Sequence, residues 1–337
     1  MHFFENKWPA VLFWPLSLLY GIFMQLRNFC YDKQILRVHR VDCPIISIGN
    51  ISVGGTGKTP AVLYLAAYFQ RLNRKVAIIS RGYGRKSKGL QVVTDGKSLL
   101  CDVEQAGDEP YMLATKLQNV PIIVDKDRVR GAVFVLRQFS PDIILLDDGF
   151  QHRRLFRDLD IITLNLDSPL GNGFVLPVGP LREFKINLER ASLLWFNGNK
   201  KDQTIVLKFK KPVIYAEYVI TDILDKSGRS ISVTDKKFVV FCGIGTPLNY
   251  KRSLSKFGIR LAEFMVFNDH HRYTIRDIQA IKSAAIYRKA DGIITTEKDW
   301  VKVVSFVKDE HFWYYSNVNL KLENLGEMDD ILANFQA

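Results

Sequence analysis

Residues 44–75 read PIISIGNISVGGTGKTPAVLYLAAYFQRLNRK: a short apolar run, a glycine-rich loop, then a stretch with helical apolar spacing. The run through Ile45, Ile46 and Ile48 suits a strand covered on both faces. Ser52, Val53, Gly54, Gly55, Thr56, Gly57, Lys58 and Thr59 stand between strand and helix, the context that a phosphate-binding loop requires. Glycines let backbone N–H groups curl round phosphate oxygens, and the helix N-terminus adds a favourable dipole. Lys58 is placed to reach the β- and γ-phosphates and Thr59 to offer its hydroxyl to Mg²⁺, so ATP and Mg²⁺ are the expected ligands. Ser52 stands where the usual motif has its first glycine. An ordinary glycine turn before a helix is the competing reading, and it leaves Lys58 and Thr59 in register without a reason.

Outward from this unit the pattern of strand and helix continues. KVAIISRGYG, VPIIVD, DIILLDDG and DIITLNLD are further short runs rich in Ile, Leu and Val. They predict an α/β fold of P-loop NTPase type, with a mainly parallel sheet and helices on both faces. Residues 204–220, TIVLKFKKPVIYAEYVI, read instead as two adjacent strands with a Lys-Lys-Pro turn, a linker between lobes. KFVVFCGIGTP, IRLAEFMVF and GIITTEKD, separated by helical stretches, predict a smaller C-terminal α/β lobe. The expected division is therefore an N-terminal hydrophobic helix over 1–30, a P-loop core over 31–203, a two-stranded linker over 204–222 and the second lobe over 223–337. A length of 337 residues accommodates two domains.

Residues 8–26, WPAVLFWPLSLLYGIFMQL, carry no charge. As a helix they would extend about 28 Å, against roughly 30 Å for a bilayer core. Trp8, Trp14 and Tyr20 suit a membrane interface, and Pro15 would kink a helix. Arg27, Lys33, Arg37 and Arg40 follow, which by the positive-inside rule places the body of the protein in the cytoplasm. Whether the segment spans or lies in the interface stays open. Lys and Arg outnumber Asp and Glu by 47 to 35, a net charge of +12 that favours anionic partners. No nucleic-acid recognition module accompanies the charge, so nucleic acid is not an expected partner. Cys30, Cys43, Cys101 and Cys242 form no CxxC pair and suggest a reducing compartment.

Several polar clusters carry candidate chemistry. Asp147 and Asp148 end an apolar strand, where P-loop enzymes hold Mg²⁺, although two aspartates before a glycine also make a simple turn. Gln151, His152, Arg153 and Arg154 follow and could touch an anionic substrate. Asp108, in Gly107-Asp108-Glu109-Pro110, is a candidate general base for a hydroxyl acceptor, and equally an ordinary acidic helix start. Spacing alone leaves Asp108 and Asp147 both open as the base. Asp269 precedes His270 and His271 in a polar loop, an arrangement that orients a proton carrier. Arg182 and Glu183 read as a transition-state cation and a further Mg²⁺ ligand, or as a surface ion pair.

Together, GNISVGGTGKTP, SRGYGR, GDEP, LDDGFQH, GPLRE, NDHH and TTEKD, in that order, resemble the tetraacyldisaccharide 4′-kinase (lipid A 4′-kinase) family. The resemblance runs from about residue 8 onward, and the family pattern also has a hydroxyl residue at the place of Ser52. It implies a two-lobed kinase at the cytoplasmic face of the inner membrane, with no obligate protein partner. That kinase transfers the γ-phosphoryl group of ATP to the 4′-hydroxyl of a lipid A disaccharide precursor. It further implies Asp108 as base with His270 beside it, and Lys58 and Thr59 as nucleotide and metal contacts. Asp147, Asp148, Arg182 and Glu183 fall round the phosphates and metal, and Arg128 and Gln151 where substrate contacts are expected. A membrane-associated P-loop switch ATPase is the alternative. That class carries a lysine where this chain has Val53.

Overall fold

The computed structural model describes residues 7–198, 210–269, 271–307 and 310–335, with side chains of the first helix described from Phe13 onward. The chain opens with helix α1 (Lys7–Asp32), then β1 (Ile45–Gly49) and α2 (Lys58–Arg71) on either side of the glycine loop. Next come β2 (Val76–Ser80), β3 (Gln91–Thr94), α3 (Val103–Ala106), α4 (Asp108–Lys116) and β4 (Ile122–Val124). α5 (Arg128–Phe139), β5 (Ile143–Asp147), β6 (Leu159–Asn165), β7 (Leu193–Asn197) and β8 (Val213–Leu224) follow. The last third holds β9 (Lys237–Cys242), α6 (Pro247–Phe257), β10 (Arg260–Val266), α7 (Ile275–Tyr287) and β11 (Gly292–Thr296). It continues through α8 (Glu297–Val303), β12 (Trp313–Glu323) and α9 (Leu325–Leu332).

Among the described residues, twelve strands form one sheet in the order β10-β9-β11-β12-β8-β7-β6-β1-β5-β2-β4-β3. Every neighbouring pair is parallel except β12 with β8 and β3 with β4. β1 lies between β5 and β6, yet the chain leaves it for β2 on the far side of β5. Such a reversal opens a crevice at the carboxyl ends of the strands, where α/β sheets bind ligands. The register Ile48↔Asp147 brings the end of β5 level with the entrance to the glycine loop.

The apolar strands are buried on both faces, as their composition implies. Ile46, Ile48 and Ile78 pack with Ala61, Leu65 and Phe69 of α2, while Ile45, Ala77 and Ile144 pack with Ala132 and Val135 of α5. Strand side chains alternate between faces, so one run of isoleucines serves two cores. In the C-terminal part Val239 and Phe241 meet Ile278 and Ile281 of α7, and Val240 meets Tyr250 and Leu254 of α6. Met328 and Leu332 of α9 return to the first core, where Tyr68 donates to Asp329 at 3.0 Å.

The two parallel sets meet at the antiparallel pair of β8 and β12. Residues 204–209 of the expected two-stranded linker lie outside the described residues. Within its remainder, the antiparallel partner of Val213–Leu224 comes from Trp313–Glu323, far along the chain, which local spacing could not reveal.

α1 lies against the first lobe with a polar stripe. Ser17 donates to the Val175 carbonyl at 2.6 Å, Tyr20 to the Arg182 carbonyl at 2.8 Å, and Asn28 to Glu183 Oε2 at 2.7 Å. These positions recur at helical spacing and define one face. Trp14, Leu19, Ile22, Phe23 and Leu26 are exposed. Among the described residues no helix is long and apolar enough to cross a membrane.

Candidate active site

The glycine loop is held from three sides. Val53 N donates to the Pro180 carbonyl at 2.8 Å and Arg182 N to the Ile51 carbonyl at 2.7 Å. Asn197 Nδ2, at the end of β7, donates to the Thr56 carbonyl at 2.5 Å, and Tyr218 of β8 donates to the Gly57 carbonyl at 3.1 Å. Gly57 has φ of 81°, and a Cβ there would collide with Tyr218 and Asn197, so both conformation and space demand glycine. Gly245, from the β9–α6 loop, lies close enough to Gly55 that a Cβ would meet Gly55 N at 2.7 Å. Thr56 Oγ1 is 2.8 Å from Thr163 Oγ1, and Asn50 Nδ2 donates to Thr56 Oγ1 at 3.1 Å. The main chain of the loop is thereby set before any ligand arrives.

Asp147 and Asp148 leave β5 in different directions. Asp147 is 1% exposed and accepts from Ser80 Oγ at 2.8 Å through Oδ2, while its Oδ1 has no hydrogen-bond partner. Burial pushes its carboxyl up to about 7, with Glu109 and Asp148 reinforcing the rise against Lys58. Asp148 has φ of 57° and faces two cations: Lys58 Nζ at 3.5 Å and Arg182 Nη1 at 2.9 Å. Burial alone would raise Asp148, but Lys58 and Arg182 overcome it and hold the carboxyl at about 2. The two neighbours are thus opposite in charge preference. An orphaned buried carboxylate oxygen beside an ionised neighbour, with Thr59 at the start of α2, fits a hard cation. Among the described residues no three His, Cys, Asp or Glu side chains converge on one point.

The opposite wall joins α4 to α8. Asp108 Oδ2 is 3.0 Å from Lys302 Nζ, and Lys302 also lies 3.3 Å from the fully buried Asp299. Lys298 Nζ stands 3.5 Å from Glu109 and 3.4 Å from Asp269. Lys116 pairs with Glu297. His270 lies outside the described residues. His271 is 3.2 Å from Asp277 Oδ2, the residue that also caps α7 through Thr274.

Gln151 sits at the junction of several groups. Its Nε2 donates to the Asn50 carbonyl at 2.8 Å and to Glu183 Oε1 at 3.1 Å, and its Oε1 accepts from Arg182 at 3.2 Å. Glu183, read from the sequence as a metal ligand, is 0% exposed, and its other oxygen accepts from Asn28 and from Arg190, each at 2.7 Å. Arg128 is buried and donates to the Asp148 carbonyl at 3.4 Å. Burial and Arg128 push His152 down to about 4, so it is neutral near pH 7 and brings no charge to an anionic ligand.

A cleft of about 600 Å³ lies between the loop and the C-terminal lobe. Its wall includes Lys58, Thr59, Asp147, Asp148, Arg182 and Glu109. Sequence reasoning missed Tyr218, Asn197 and Lys302. Tyr218 lies inside the stretch 204–220 and Lys302 four residues beyond the lysine of TTEKD, but neither carries a pattern of its own.

A family model described as tetraacyldisaccharide-1-P 4′-kinase matches residues 9–336. The tetraacyldisaccharide 4′-kinase of Syntrophus aciditrophicus is 36% identical over 320 residues, covering 89% of this chain and 86% of that protein. That of Chlorobium phaeobacteroides is 38% identical over 311 residues, covering 88% and 87%. The crystal structure of LpxK from Aquifex aeolicus in complex with ATP matches with a TM-score of 0.79 at 31% identity, covering 97% of this chain and 99% of that one.

Proposed function

The chain belongs to the tetraacyldisaccharide-1-P 4′-kinase family, and from that premise we propose that it phosphorylates the 4′-hydroxyl of a tetraacyldisaccharide 1-phosphate with ATP, a step of lipid A biosynthesis. The observation that carries the reading is the cleft itself. On one side is the phosphate loop with Lys58; on the other are Glu109 and Lys298, and Asp108, next to Glu109 in the chain, is ion-paired with Lys302. Backbone N–H groups from Gly54 to Thr59 would hold the triphosphate. The incoming phosphates would compete with Asp148 for Lys58 and Arg182, moving two cations from a carboxylate to the reacting group.

Asp108 takes the proton of the acceptor hydroxyl as its oxygen bonds to the γ-phosphorus and the bond to the departing ADP oxygen breaks. Asp108 is ion-paired with Lys302, and His270 is assigned to pair with it by the family resemblance. Arg182 offsets charge on the transferring group; of the acceptor contacts that the family resemblance implies, Arg128 is buried against the Asp148 carbonyl and Gln151 is bonded to Arg182 and Glu183. Thr59, Asp147 and Asp148 would hold Mg²⁺, which when bound neutralises phosphate charge. Most of the acceleration in such a reaction comes from placement and charge, so a rigid loop matters more than any single acid.

The division at β8 and β12 supports a two-lobed enzyme with its hinge in that strand pair and its cleft between the lobes. The exposed apolar face of α1, followed by Arg27, Lys33 and Arg37, supports association with the surface of an anionic membrane, with the body on the cytoplasmic side. Incubating the protein with γ-labelled ATP and tetraacyldisaccharide 1-phosphate tests the whole reading. Label should appear in a bisphosphorylated lipid identified by mass. ATP turnover with no labelled lipid would end it.

A further inference from the structure

We propose that Glu183 is a positioning residue that relays the seating of α1 to the phosphate site through Gln151 and Arg182, and that it does not ligate magnesium. The proposal rests on the kinase reading above for its assay. Its basis is a continuous chain of polar contacts. Asn28 of α1 donates to Glu183 Oε2 at 2.7 Å, and Gln151 Nε2 donates to Glu183 Oε1 at 3.1 Å. Arg182 donates to Gln151 Oε1 at 3.2 Å and to Asp148 at 2.9 Å, and Asp148 lies 3.5 Å from Lys58. Five side chains thus link a helix with an exposed apolar face to the lysine of the phosphate loop.

The chemistry of Glu183 favours this role over metal binding. The carboxylate is completely buried, and its charge is balanced by Arg190, whose guanidinium also stacks 4.3 Å from the Phe150 ring. Three N–H donors from Asn28, Arg190 and Gln151 cover both oxygens. Donor hydrogens aimed at both oxygens repel a cation and leave little lone-pair capacity for one. Glu183 also decides which way the Gln151 amide points. Both N–H groups of Gln151 are taken by Glu183 and the Asn50 carbonyl, so its oxygen is left facing Arg182. An amide at position 183 would remove that distinction, and Arg182 would lose its fixed acceptor.

The same segment is bound to α1 and to the phosphate loop at once. Tyr20 donates to the Arg182 carbonyl, Asn187 donates to Gln25 Oε1 at 3.1 Å, and Arg182 N donates to Ile51. A shift of α1 on its seat therefore has a short path to the cation that neutralises the phosphates. A misplacement of about 1 Å at a reacting centre can cost on the order of 10²-fold in rate.

The test uses Glu183→Gln, Asn28→Leu and the double variant of the full chain, assayed with ATP and tetraacyldisaccharide 1-phosphate in detergent micelles while Mg²⁺ is titrated. Each single variant should lower kcat by about tenfold or more. KM for ATP and the Mg²⁺ concentration for half-activation should not change. The double variant should be no worse than the weaker single one, because both cut the same chain. Protection against heat by ATP shows that each variant is folded; if Glu183→Gln is not, Asn28→Leu decides alone. A raised Mg²⁺ requirement in Glu183→Gln with a wild-type rate in Asn28→Leu would overturn the proposal, as would unchanged kcat in Asn28→Leu. An unaltered chain that leaves the lipid unphosphorylated would instead strike the kinase reading.

Discussion

Asp108 begins α4 with its carboxylate held by a lysine from another helix, and its removal tests the proton-acceptor role proposed for it. A general base typically supplies 10²–10⁴-fold. Asp108→Ala should therefore lower kcat by at least about 10²-fold while KM for ATP stays near its original value. Steady-state kinetics with an unaltered turnover number would refute the role. His152 makes a prediction of a different kind. Its folded pKa of about 4 lies below the unfolded value of 6.5, so the folded state resists its protonation. The stability it confers is complete above about pH 6.5 and is lost as pH falls through about 4. Thermal melts between those values should show a decline that His152→Gln flattens; parallel curves for the two proteins would contradict this. Of the residues in the site, Lys58, Thr59 and the two aspartates were legible because each is tied to a local pattern. Lys302 was not, because one lysine in a helix carries no signal until the fold brings it to Asp108. The donors round Glu183, namely Asn28, Gln151 and Arg190, are scattered through the sequence, so its surroundings are not legible there.

α1 is the element whose two faces do different work. Ser17, Gln25 and Asn28 bind the first lobe while Leu19, Phe23 and Leu26 face outward. Placing charge on the outer face, as in Leu19→Glu with Phe23→Glu, should reduce sedimentation with anionic vesicles several-fold and leave ATP binding intact. Equal sedimentation of both proteins would remove the membrane role from this helix. The core strands β1, β2, β5 and β6 were readable as elements, since runs of buried Ile, Leu and Val have one explanation in a doubly covered sheet. β8 and β12 were less so. Their burial is mixed, and their pairing depends on a contact that spans the whole second lobe.

Ion pairs outside the β8 and β12 pair also join distant parts of the chain, α4 to α8. Lys302 stands between Asp108 and the buried Asp299, and Lys298 between Glu109 and Asp269. Lys302→Met leaves two carboxylates without their shared cation, and breaking a buried pair this way costs about 3 kcal/mol or more. Calorimetry should then show a melting temperature lower by several degrees. A melting temperature equal to that of the parent would mean that the lysine is dispensable to the assembly.

α9 follows the second lobe in the chain yet completes the core of the first, with Met328 and Leu332 beside α2. During synthesis, then, the nucleotide-binding half emerges early but stays unfinished until residues 325–332 have cleared the ribosome. A nascent chain stalled before that point should present an uncapped apolar surface to chaperones and proteases, although every residue of its phosphate loop has already been made.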